Sequence, residues 1–330
     1  KHYKEIYQKI DSNDSIGSII KYSSLDGEHS SLKRKIKIND RVYKGEKGIV
    51  GIIGAGNFTS QTLLPNLKKT KIPISSIASK GGVNSNYLAQ KYGIGNSTTD
   101  YHEILSDEDI DTVIITTRHN SHSEIAIEAL NAGKNVFVEK PLALTIKEVE
   151  NIESIISKKN SPNLTVGFNR RFSEHIKRIK REMMSTNNPI NIIANMNSGK
   201  IDSSHWVHDP LVGGGRILGE ACHLIDLCVY LSGSLVVSVC SNFIADSLRD
   251  NSSILLKFEN GSNAVVNYFS NGSKKYSKER LEVYSQDKTW ILDDYVKTYS
   301  FSSKSSKIFT SKKDKGHKNI LQKYINNIKS

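Results

Sequence analysis

Two residues in the middle of the chain are of types that together suit the oxidation of an alcohol. Lys140 follows the strand-like run Val136–Glu139 and precedes Pro141, while His223 follows a triple glycine at Gly213–Gly215. Removing a hydride from a secondary alcohol also releases a proton, which an imidazole accepts near neutral pH. An ammonium beside the same oxygen stabilises its developing negative charge. The pair predicts hydride-transfer chemistry on a hydroxyl-bearing substrate, with Lys140 and His223 as catalytic residues.

Glu220 stands three residues before His223, and two interpretations of it stay open. Residues three apart share a helix face, so the carboxylate could orient or charge-stabilise the imidazole as a third catalytic group. In the second interpretation Glu220 caps its own helix near the glycine-rich turn, where a negative charge favours the positive end of the helix dipole.

A glycine-rich turn predicts the cofactor site. The apolar run Ile49–Ile53 leads directly into the turn Gly54-Ala55-Gly56-Asn57-Phe58-Thr59. The first glycine permits a tight turn, the second lets a pyrophosphate approach the backbone, and the following helix offers its free N–H groups. Thr59 replaces the third glycine of the usual fingerprint, so the match is partial. We expect a nicotinamide dinucleotide, NAD(P), to bind at Gly54, Gly56, Asn57 and Phe58.

The turn after the second strand bears on the choice between NAD and NADP. An acid at this point would accept a hydrogen bond from the ribose 2′-hydroxyl and specify NAD. The sequence Ile77-Ala78-Ser79-Lys80-Gly81-Gly82 contains no acid. The hydroxyl of Ser79 and the ammonium of Lys80 suit a 2′-phosphate, which favours NADP slightly.

These candidate residues need a parallel sheet to position them, and the pattern along the chain predicts one. Apolar runs at Ile74–Ala78, Thr112–Thr116, Val136–Glu139 and Leu164–Phe168 alternate with helical segments. Capping-box spacing marks two helix starts, at Ser121 with Glu124 and at Thr145 with Glu148. Alternating strands and helices predict an α/β fold, a doubly wound Rossmann domain over residues 47–168.

After about Phe172 the pattern changes to strands without intervening helices, except for a helix around Glu220–Leu231. This predicts an α+β domain with a large, mostly antiparallel sheet over residues 169–330, which we expect to bind substrate and to form subunit contacts. The Ser- and Lys-rich stretch Ser302–Lys315 is expected to be a loop. Residues 1–46 form a flanking segment with a possible helix at Tyr3–Ile10 and a possible strand at Ser15–Tyr22.

Composition narrows the class of protein. Of 330 residues 37% are hydrophobic and 24% are charged, and no apolar run reaches the length needed to span a bilayer. The net charge of +12 comes from lysines spread along the whole chain, without an arginine-rich block, so we expect anionic small ligands and no nucleic acid or membrane partner. The cysteines Cys222, Cys228 and Cys240 form no framework, which is typical of a reducing cytoplasm. No metal site is predicted.

Five motifs in order give the chain a wider resemblance. They are GIIGAGNF at 51–58, TTRHNSH at 116–122, AGKNVFVEKPLALT at 132–145, VGFNRRF at 166–172 and GGGRILGEACHLID at 213–226. The stretch Gly48–His317 resembles the glucose–fructose oxidoreductase and inositol dehydrogenase family (Gfo/Idh/MocA). The resemblance implies that Lys140 contacts the reacting hydroxyl beside the nicotinamide and that His223 takes the substrate proton. Members often carry an Asp four residues before this histidine, where this chain has Gly219.

The resemblance also implies which residues line the pocket. The residues expected near the nicotinamide are Thr116, Thr117, Arg118, His119, His122, Glu139 and Lys140. Asn169 and Arg170 are expected to hydrogen-bond a polyhydroxylated or phosphorylated substrate, while Arg171 could equally form an ion pair between the domains. Trp206 and Asp209 lie in a loop that could cover a sugar ring.

Two further expectations concern the whole polypeptide. Tyr3–Tyr22 resembles the end of a medium-chain alcohol dehydrogenase, so the chain is expected to be the C-terminal half of a fusion with such a domain. The main functional prediction is an NAD(P)-dependent oxidoreductase for a sugar, cyclitol or nucleotide sugar. Its rival is a non-catalytic cofactor-binding module serving a fused or partner dehydrogenase domain. The family's open sheet face implies a homodimer or homotetramer.

Overall fold

Two β-sheets organise the chain. The computed structural model describes residues 34–40, 47–183, 188–245 and 248–329, and residues 35–330 form one compact unit. The expected helix Tyr3–Ile10 and strand Ser15–Tyr22 lie outside the described residues.

The first sheet carries the predicted Rossmann topology. Its strands are β1 (Lys35–Lys37), β2 (Val50–Ile53), β3 (Ile74–Ala78), β4 (Asn96–Thr98), β5 (Thr112–Ile115), β6 (Asn135–Val138) and β7 (Leu164–Val166). They lie in the order β1-β4-β3-β2-β5-β6-β7, parallel throughout except for β1 at the edge. Because β2 lies between β3 and β5, the strand order reverses there and a crevice opens at the carboxyl ends of the strands.

Helices cover both faces of this sheet, and they are α1 (Leu64–Thr70), α2 (Val83–Tyr92), α3 (His102–Leu105), α4 (His122–Asn131) and α5 (Ile146–Ile156). The capping box of Thr145 and Glu148 is confirmed at the start of α5. The one expected at Ser121 and Glu124 is wrong. Ser121 has helical backbone angles at the end of a 3₁₀ turn, and its hydroxyl donates to Thr117 instead.

The second sheet is the predicted large and mostly antiparallel one. Its strands are β8 (Asn191–Asn197), β9 (Val236–Phe243), β10 (Ser252–Phe258), β11 (Asn263–Phe269), β12 (Glu279–Ser285), β13 (Lys288–Asp293), β14 (Lys297–Ser302) and β15 (Ser305–Thr310). Their order is β15-β14-β13-β12-β8-β11-β10-β9, and only the β8–β11 pair is parallel. Helices α6 (Glu174–Met183) and α7 (Cys222–Ser232) pack on one face of it, and α8 (His317–Lys329) follows it.

Two segments differ from the sequence-based expectations. The stretch Ser302–Lys315 is not a loop, because Ser305–Thr310 pairs with Lys297–Ser302 as a hairpin that satisfies the polar backbone. Helix α8 belongs to the C-terminal part of the chain, yet its apolar face contributes Ile320, Leu321, Tyr324 and Ile325 to the core of the first sheet. The C-terminal helix therefore fastens the second part of the chain to the first. None of the described helices has the length and apolarity needed to cross a bilayer.

Candidate active site

The glycine-rich turn at the end of β2 is shaped to admit a ligand. Gly54 has φ of 114°, and a Cβ there would lie 2.6 Å from the Oγ1 of Thr116, so glycine is required. A Cβ on Gly56 would meet nothing within 4 Å, which leaves this side of the turn open. Thr59, at the place of the missing third glycine, is buried and donates to the carbonyl of Gly54 at 2.9 Å. The hydroxyl of Thr59 thus stabilises the turn at the position where the usual fingerprint has a third glycine.

A groove of about 780 Å³ runs from this turn along the carboxyl ends of β2 and β3. The groove is lined by Trp206 and by nine of the residues predicted to bind cofactor, which are Gly54, Gly56, Asn57, Phe58, Ser79, Lys80, Thr116, Thr117 and Arg118. The hydroxyl of Ser79 donates to that of Ser85 at 3.0 Å. The side chain of Lys80 is exposed at the groove. The lining of the groove suits a dinucleotide.

A second cavity of about 380 Å³ adjoins the groove and shares Phe58, Thr116, Thr117 and Trp206 with it. It brings together residues from both sheets: His119, His122, Glu139, Lys140, Asn169, Arg170, Met196, Glu220, His223, Lys278, Lys315 and His317. Every predicted site residue except Asp209 therefore lines one of the two spaces.

Lys140 projects into the second cavity from the end of β6. Its ammonium donates to the carbonyl oxygen of Gly219 at 2.6 Å. Gly219 lies within a π-helical turn, Ile217–Ala221, that precedes α7. The preceding residue, Glu139, packs against Gly167. Burial raises the pKa of the Glu139 carboxyl to about 7, although the positive charge of Lys140 acts to lower it. Lys140 is thus a cation beside a carboxyl group that is partly protonated at neutral pH.

His223 lies buried on the first turn of α7, with 5% of its surface exposed. Nη1 of Arg170 lies 2.9 Å from its Nε2. A guanidinium has no acceptor, so Nε2 must accept this hydrogen bond and the ring proton must be on Nδ1. That Nδ1 is buried without a partner among the described residues. Burial, followed by the charges of Arg170 and Lys140, holds the pKa of His223 well below its usual range, so the ring is neutral.

Arg170 is the centre of a buried network that sequence reasoning did not find. Its Nε and Nη2 donate to the two carboxylate oxygens of Glu279 at 3.2 and 2.9 Å, and Lys315 contacts the same carboxylate. Burial alone would raise the pKa of Glu279, but Arg170 and Lys315 lower it to about 2. Asn169 accepts from Arg170 at 2.9 Å and donates to the carbonyl of Lys315 at 2.8 Å. The polar groups of Asn169 and Arg170 are therefore held by protein partners and shape the cavity wall.

Glu220 has partners that neither interpretation from the sequence anticipated. Its carboxylate accepts from Ser198 at 2.7 Å and from Arg216 at 3.1 Å, and it lies 3.7 Å from the ammonium of Lys278. His223 is not among the contacts described for it, and the helix start shows no side-chain cap at this point. The π-helical turn changes the angular spacing of a regular helix, so the three-residue separation does not bring Glu220 to His223.

Three predicted residues remain, of which Trp206 lines the two cavities while Asp209 and Arg171 contact other parts of the protein. Asp209 is exposed and outside both cavities, because its carboxylate and carbonyl oxygens bind the backbone of the turn at 211–214. Trp206 does line both spaces, with Arg118 over its ring at 5.5 Å. Arg171 forms an ion pair with Asp226, donating from Nε at 2.7 Å. Arg171 therefore has the structural one of its two predicted roles, the ion pair.

His119 and His122 form the end of the cavity next to Lys140. Nδ1 of His122 bonds the carbonyl of Pro141 at 2.7 Å, and its Nε2 faces the carbonyl of Thr117 at 3.1 Å. Burial lowers the pKa of His122, so the neutral ring uses its one proton in the shorter bond. His119 packs edge-to-face on Trp206, with 4.9 Å between the ring centroids.

Comparison with known proteins agrees with the two-part fold. A family model described as an oxidoreductase family with an NAD-binding Rossmann fold matches residues 49–168, and the GFO/IDH/MocA C-terminal domain matches residues 188–290. Neither match supports the expected fusion with a medium-chain dehydrogenase, for both lie within the one family unit.

Individual relatives are more distant. The uncharacterized oxidoreductase YrbE of Bacillus subtilis is 28% identical over 84% of this chain and 82% of its own length. The myo-inositol 2-dehydrogenase of Thermotoga maritima is 28% identical over 64% of this chain and 65% of its own length. A levoglucosan dehydrogenase solved in complex with NADH shares the fold, with a TM-score of 0.75 and 21% identity over 85% of this chain and 89% of that one. Since the two family models together match more than half of the sequence, the chain belongs to the GFO/IDH/MocA family of oxidoreductases and takes a nicotinamide cofactor.

Proposed function

We propose that the protein is an NAD(P)-dependent oxidoreductase acting on a CH–OH group of a sugar, cyclitol or nucleotide sugar. One observation carries this proposal: the ammonium of Lys140 and the imidazole of His223 line a cavity that adjoins the groove of the glycine-rich turn. Substrates of this type are named for two of the similar proteins, an inositol and a levoglucosan dehydrogenase.

The open face of Gly56 supports cofactor binding in the groove, because any side chain there would fill the space that a pyrophosphate needs. When bound, the nicotinamide supplies the acceptor or donor of the hydride. Thr116 and Thr117, shared by the two cavities, would hold the nicotinamide end, and Ser79 and Lys80 would hold the adenosine ribose. The absence of an acid beside Ser79 and the exposed ammonium of Lys80 favour NADP.

Within this proposal Lys140 binds the substrate oxygen in place of the Gly219 carbonyl and stabilises negative charge on it. His223 would take the hydroxyl proton at Nε2. That step requires the substrate oxygen to replace Arg170 as the partner of Nε2, because the Nδ1 already carries the ring proton. Nη1 of Arg170 would then keep Asn169 as its partner.

The charge of the cavity narrows the substrate class. Four cationic side chains line it, Lys140, Arg170, Lys278 and Lys315, and the lining carboxyl groups are Glu139 and Glu220. Glu279 lies behind the wall and pairs with two of the cations. Because the carboxyl of Glu139 is partly neutral at pH 7, positive charge is in excess. This favours sugars that carry a phosphate or carboxylate group, nucleotide sugars among them.

The proposal has two structural parts. Residues 47–168 would bind the cofactor, and residues 169–330 would provide the substrate wall and the subunit contacts. The outer face of the second sheet carries exposed apolar side chains on β10, β14 and β15, namely Leu255, Phe301 and Ile308. Such a face suits a homodimer or homotetramer, since a partner would remove it from water.

A substrate screen tests the proposal. The purified chain is mixed with NAD⁺ or NADP⁺ and with neutral sugars, cyclitols, sugar acids and nucleotide sugars, and nicotinamide reduction is followed by absorbance. We expect turnover with at least one compound and a preference for the charged ones. Tight cofactor binding with no turnover in either direction would instead favour the non-catalytic module.

A further inference from the structure

Lys278 is the last residue before β12, and its side chain lines the second cavity. The backbone N–H of Asn197 donates to its carbonyl at 2.8 Å, which fixes the start of the side chain at the end of the sheet. The side chain is 45% exposed. Within the described part of the chain the ammonium makes no hydrogen bond, and its one ion pair is with Glu220 at 3.7 Å. The ammonium can therefore donate to a ligand in the cavity.

The other three cations that line the cavity are already used by the protein. The ammonium of Lys140 donates to the carbonyl of Gly219. Arg170 and Lys315 both donate to the carboxylate of Glu279. Among the described residues, Lys278 is thus the one lining cation without a hydrogen-bonded oxygen.

Glu220 does not neutralise Lys278, because closer groups occupy its carboxylate. Ser198 donates to it at 2.7 Å and Arg216 at 3.1 Å. Burial acts to raise the pKa of Glu220, but these two partners and the charge of Lys278 lower it, so the carboxylate is charged at neutral pH. The described ion pairs at this wall join three carboxylates to four cations, namely Glu220, Asp250 and Glu279 with Arg170, Arg216, Lys278 and Lys315. One positive charge is left over, and Lys278 is the most exposed of the four cations.

A second lysine stands beside Lys278. Burial lowers the pKa of Lys315, and the positive charges of Arg170 and Lys278 lower it further, although Glu279 acts to raise it. The two ammonium groups therefore repel each other, and an anion bound in the cavity would relieve that repulsion. Each ammonium has three N–H donors, of which Lys315 gives one to Glu279, so donors remain for the oxygens of an anion.

Such an anion would not be part of the cofactor. The groove that extends from the glycine-rich turn is lined by neither Lys278 nor Lys315. Both line the cavity that also contains Lys140 and His223. The anion would therefore arrive with the substrate.

One turn links the anion site to the place of the reacting hydroxyl. In the π-helical turn before α7, the carbonyl of Gly219 receives Lys140, and the next side chain, Glu220, lies beside Lys278. A Cβ on Gly219 would lie 2.8 Å from Cε1 of His119, so this ring packs directly against the turn and holds it in place. Because the two ammonium groups are anchored on neighbouring residues, the hydroxyl and the anion belong to one substrate molecule.

We infer that Lys278, together with Lys315, binds a carboxylate or phosphate group of the substrate and so determines which sugars the enzyme accepts. This rests on the oxidoreductase function proposed above. An ammonium binds either group as a point charge, so sugar acids, sugar phosphates and nucleotide sugars share the chemistry that the site selects. Since Lys278 binds a group other than the reacting carbon and its hydroxyl, it stabilises the ground state and the transition state alike. Its loss should therefore affect KM more than kcat.

Matched substrates and variants test the role of Lys278. Each neutral sugar is compared with its sugar acid, its phosphate and its nucleotide derivative, and kcat and KM are measured. Lys278→Gln removes the charge, and Lys278→Arg retains it. Lys275→Gln removes a charge from an exposed position of the same loop, outside both cavities, and is the matched control. Thermal stability is measured for every variant.

We expect the wild type to prefer at least one charged member of a set, and that member identifies the anion. Lys278→Gln should raise KM for this compound by about 10-fold to 100-fold, the effect of one hydrogen bond between charged groups, with a smaller change in kcat. Lys278→Arg should keep most of the preference, and Lys275→Gln all of it. A wild type that oxidises the neutral sugars as well as the charged ones would overturn the inference. An unchanged KM in Lys278→Gln, or an equal rise in Lys275→Gln, would do the same.

A titration that needs no substrate separates this inference from the proposed function. Inorganic phosphate is added to protein saturated with the tighter-binding nicotinamide cofactor, which fills the groove, and labelled lysine side chains are followed by NMR. The signal of Lys278, assigned by its loss in Lys278→Gln, should shift saturably with phosphate, and that of Lys275 should not. A chain that oxidises nothing would refute the proposed function, whereas the absence of a phosphate-dependent shift of Lys278 would refute the anion site.

Discussion

Nη1 of Arg170 lies 2.9 Å from Nε2 of His223, and the other nitrogens of the same guanidinium hold Glu279. The positive charge opposes a second proton on the imidazole. Arg170→Met should therefore raise the pKa of His223, which NMR titration of the ring measures. The substitution also leaves Glu279 buried with Lys315 alone, so the free energy of unfolding should fall by about 3–5 kcal/mol.

Arg171→Met is the matched control for this variant. Arg171 pairs with Asp226 and has no described contact with His223, so the pKa of the imidazole should stay where it is. An unchanged pKa of His223 in Arg170→Met would contradict the contact between the Arg170 guanidinium and the His223 ring.

Glu279 predicts how the fold responds to acid. Its folded pKa of about 2 lies below the usual value of about 4.3 for an unfolded chain, so the carboxylate stabilises the fold above that value. The contribution, on the order of 3 kcal/mol, should disappear as the pH falls from about 5 to about 2. Glu279→Gln should be much less stable than wild type near pH 7 and should lose less stability over that range. Urea unfolding at several pH values measures this.

Glu150→Gln, on the exposed side of α5, is the control and should follow the wild-type curve. If Glu279→Gln and the wild type lost equal stability on acidification, protonation of the Glu279 carboxylate would not be what destabilises the fold in acid.

The turn after β3 gives a prediction about cofactor choice. NADPH should bind at least as tightly as NADH, and Ser79→Asp should shift the preference toward NADH because a carboxylate repels the 2′-phosphate. Ser79→Ala removes the hydroxyl without adding charge, so it separates the loss of the hydroxyl from the repulsion by the carboxylate. Gly56→Val should weaken both cofactors by filling the pyrophosphate space. Calorimetric titration decides among these outcomes, and a clear NADH preference in the unchanged chain would count against NADP.

The exposed face of the second sheet gives a prediction about assembly. Leu255 on β10 is 49% exposed, and Val149 on α5 is 44% exposed. A charge at the first position should weaken a sheet-to-sheet contact, whereas the same charge at the second should not. We expect light scattering to find a dimer or tetramer for the wild type and for Val149→Asp, and a smaller species for Leu255→Asp. A wild-type monomer across micromolar concentrations would contradict the proposed use of this face.

The local sequence was sufficient to predict the first sheet and the cofactor turn. Val50–Ile53 and Thr112–Ile115 are continuous apolar runs because both faces of these strands are buried, and such runs stand out in a sequence. Gly54 and Gly56 are recognisable since the turn allows little else. Strand Ser305–Thr310 was missed because it is exposed and mostly polar. Its pairing with the preceding strand, rather than its composition, makes it a strand.

The candidate site shows where local reasoning ends. Glu279 contacts Arg170 across more than a hundred residues of sequence, and Lys315 contacts the same carboxylate, so no spacing could reveal them. The Glu220 prediction assumed regular helical spacing, which the π-helical turn removes. The importance of Gly219 was visible only as a departure from the family pattern, and the structure supplies the physical reason, the ring of His119.

The most direct test of the account is the rate of nicotinamide reduction in Lys140→Ala and His223→Ala under single-turnover conditions with a confirmed substrate. Both side chains should act mainly in the transition state, so each rate should fall by orders of magnitude while cofactor affinity changes much less. Lys147→Ala, an exposed lysine on α5, is the matched control and should react at the wild-type rate. If Lys140→Ala reduced the nicotinamide as fast as the wild type, the cavity between the two sheets would not be the place of hydride transfer.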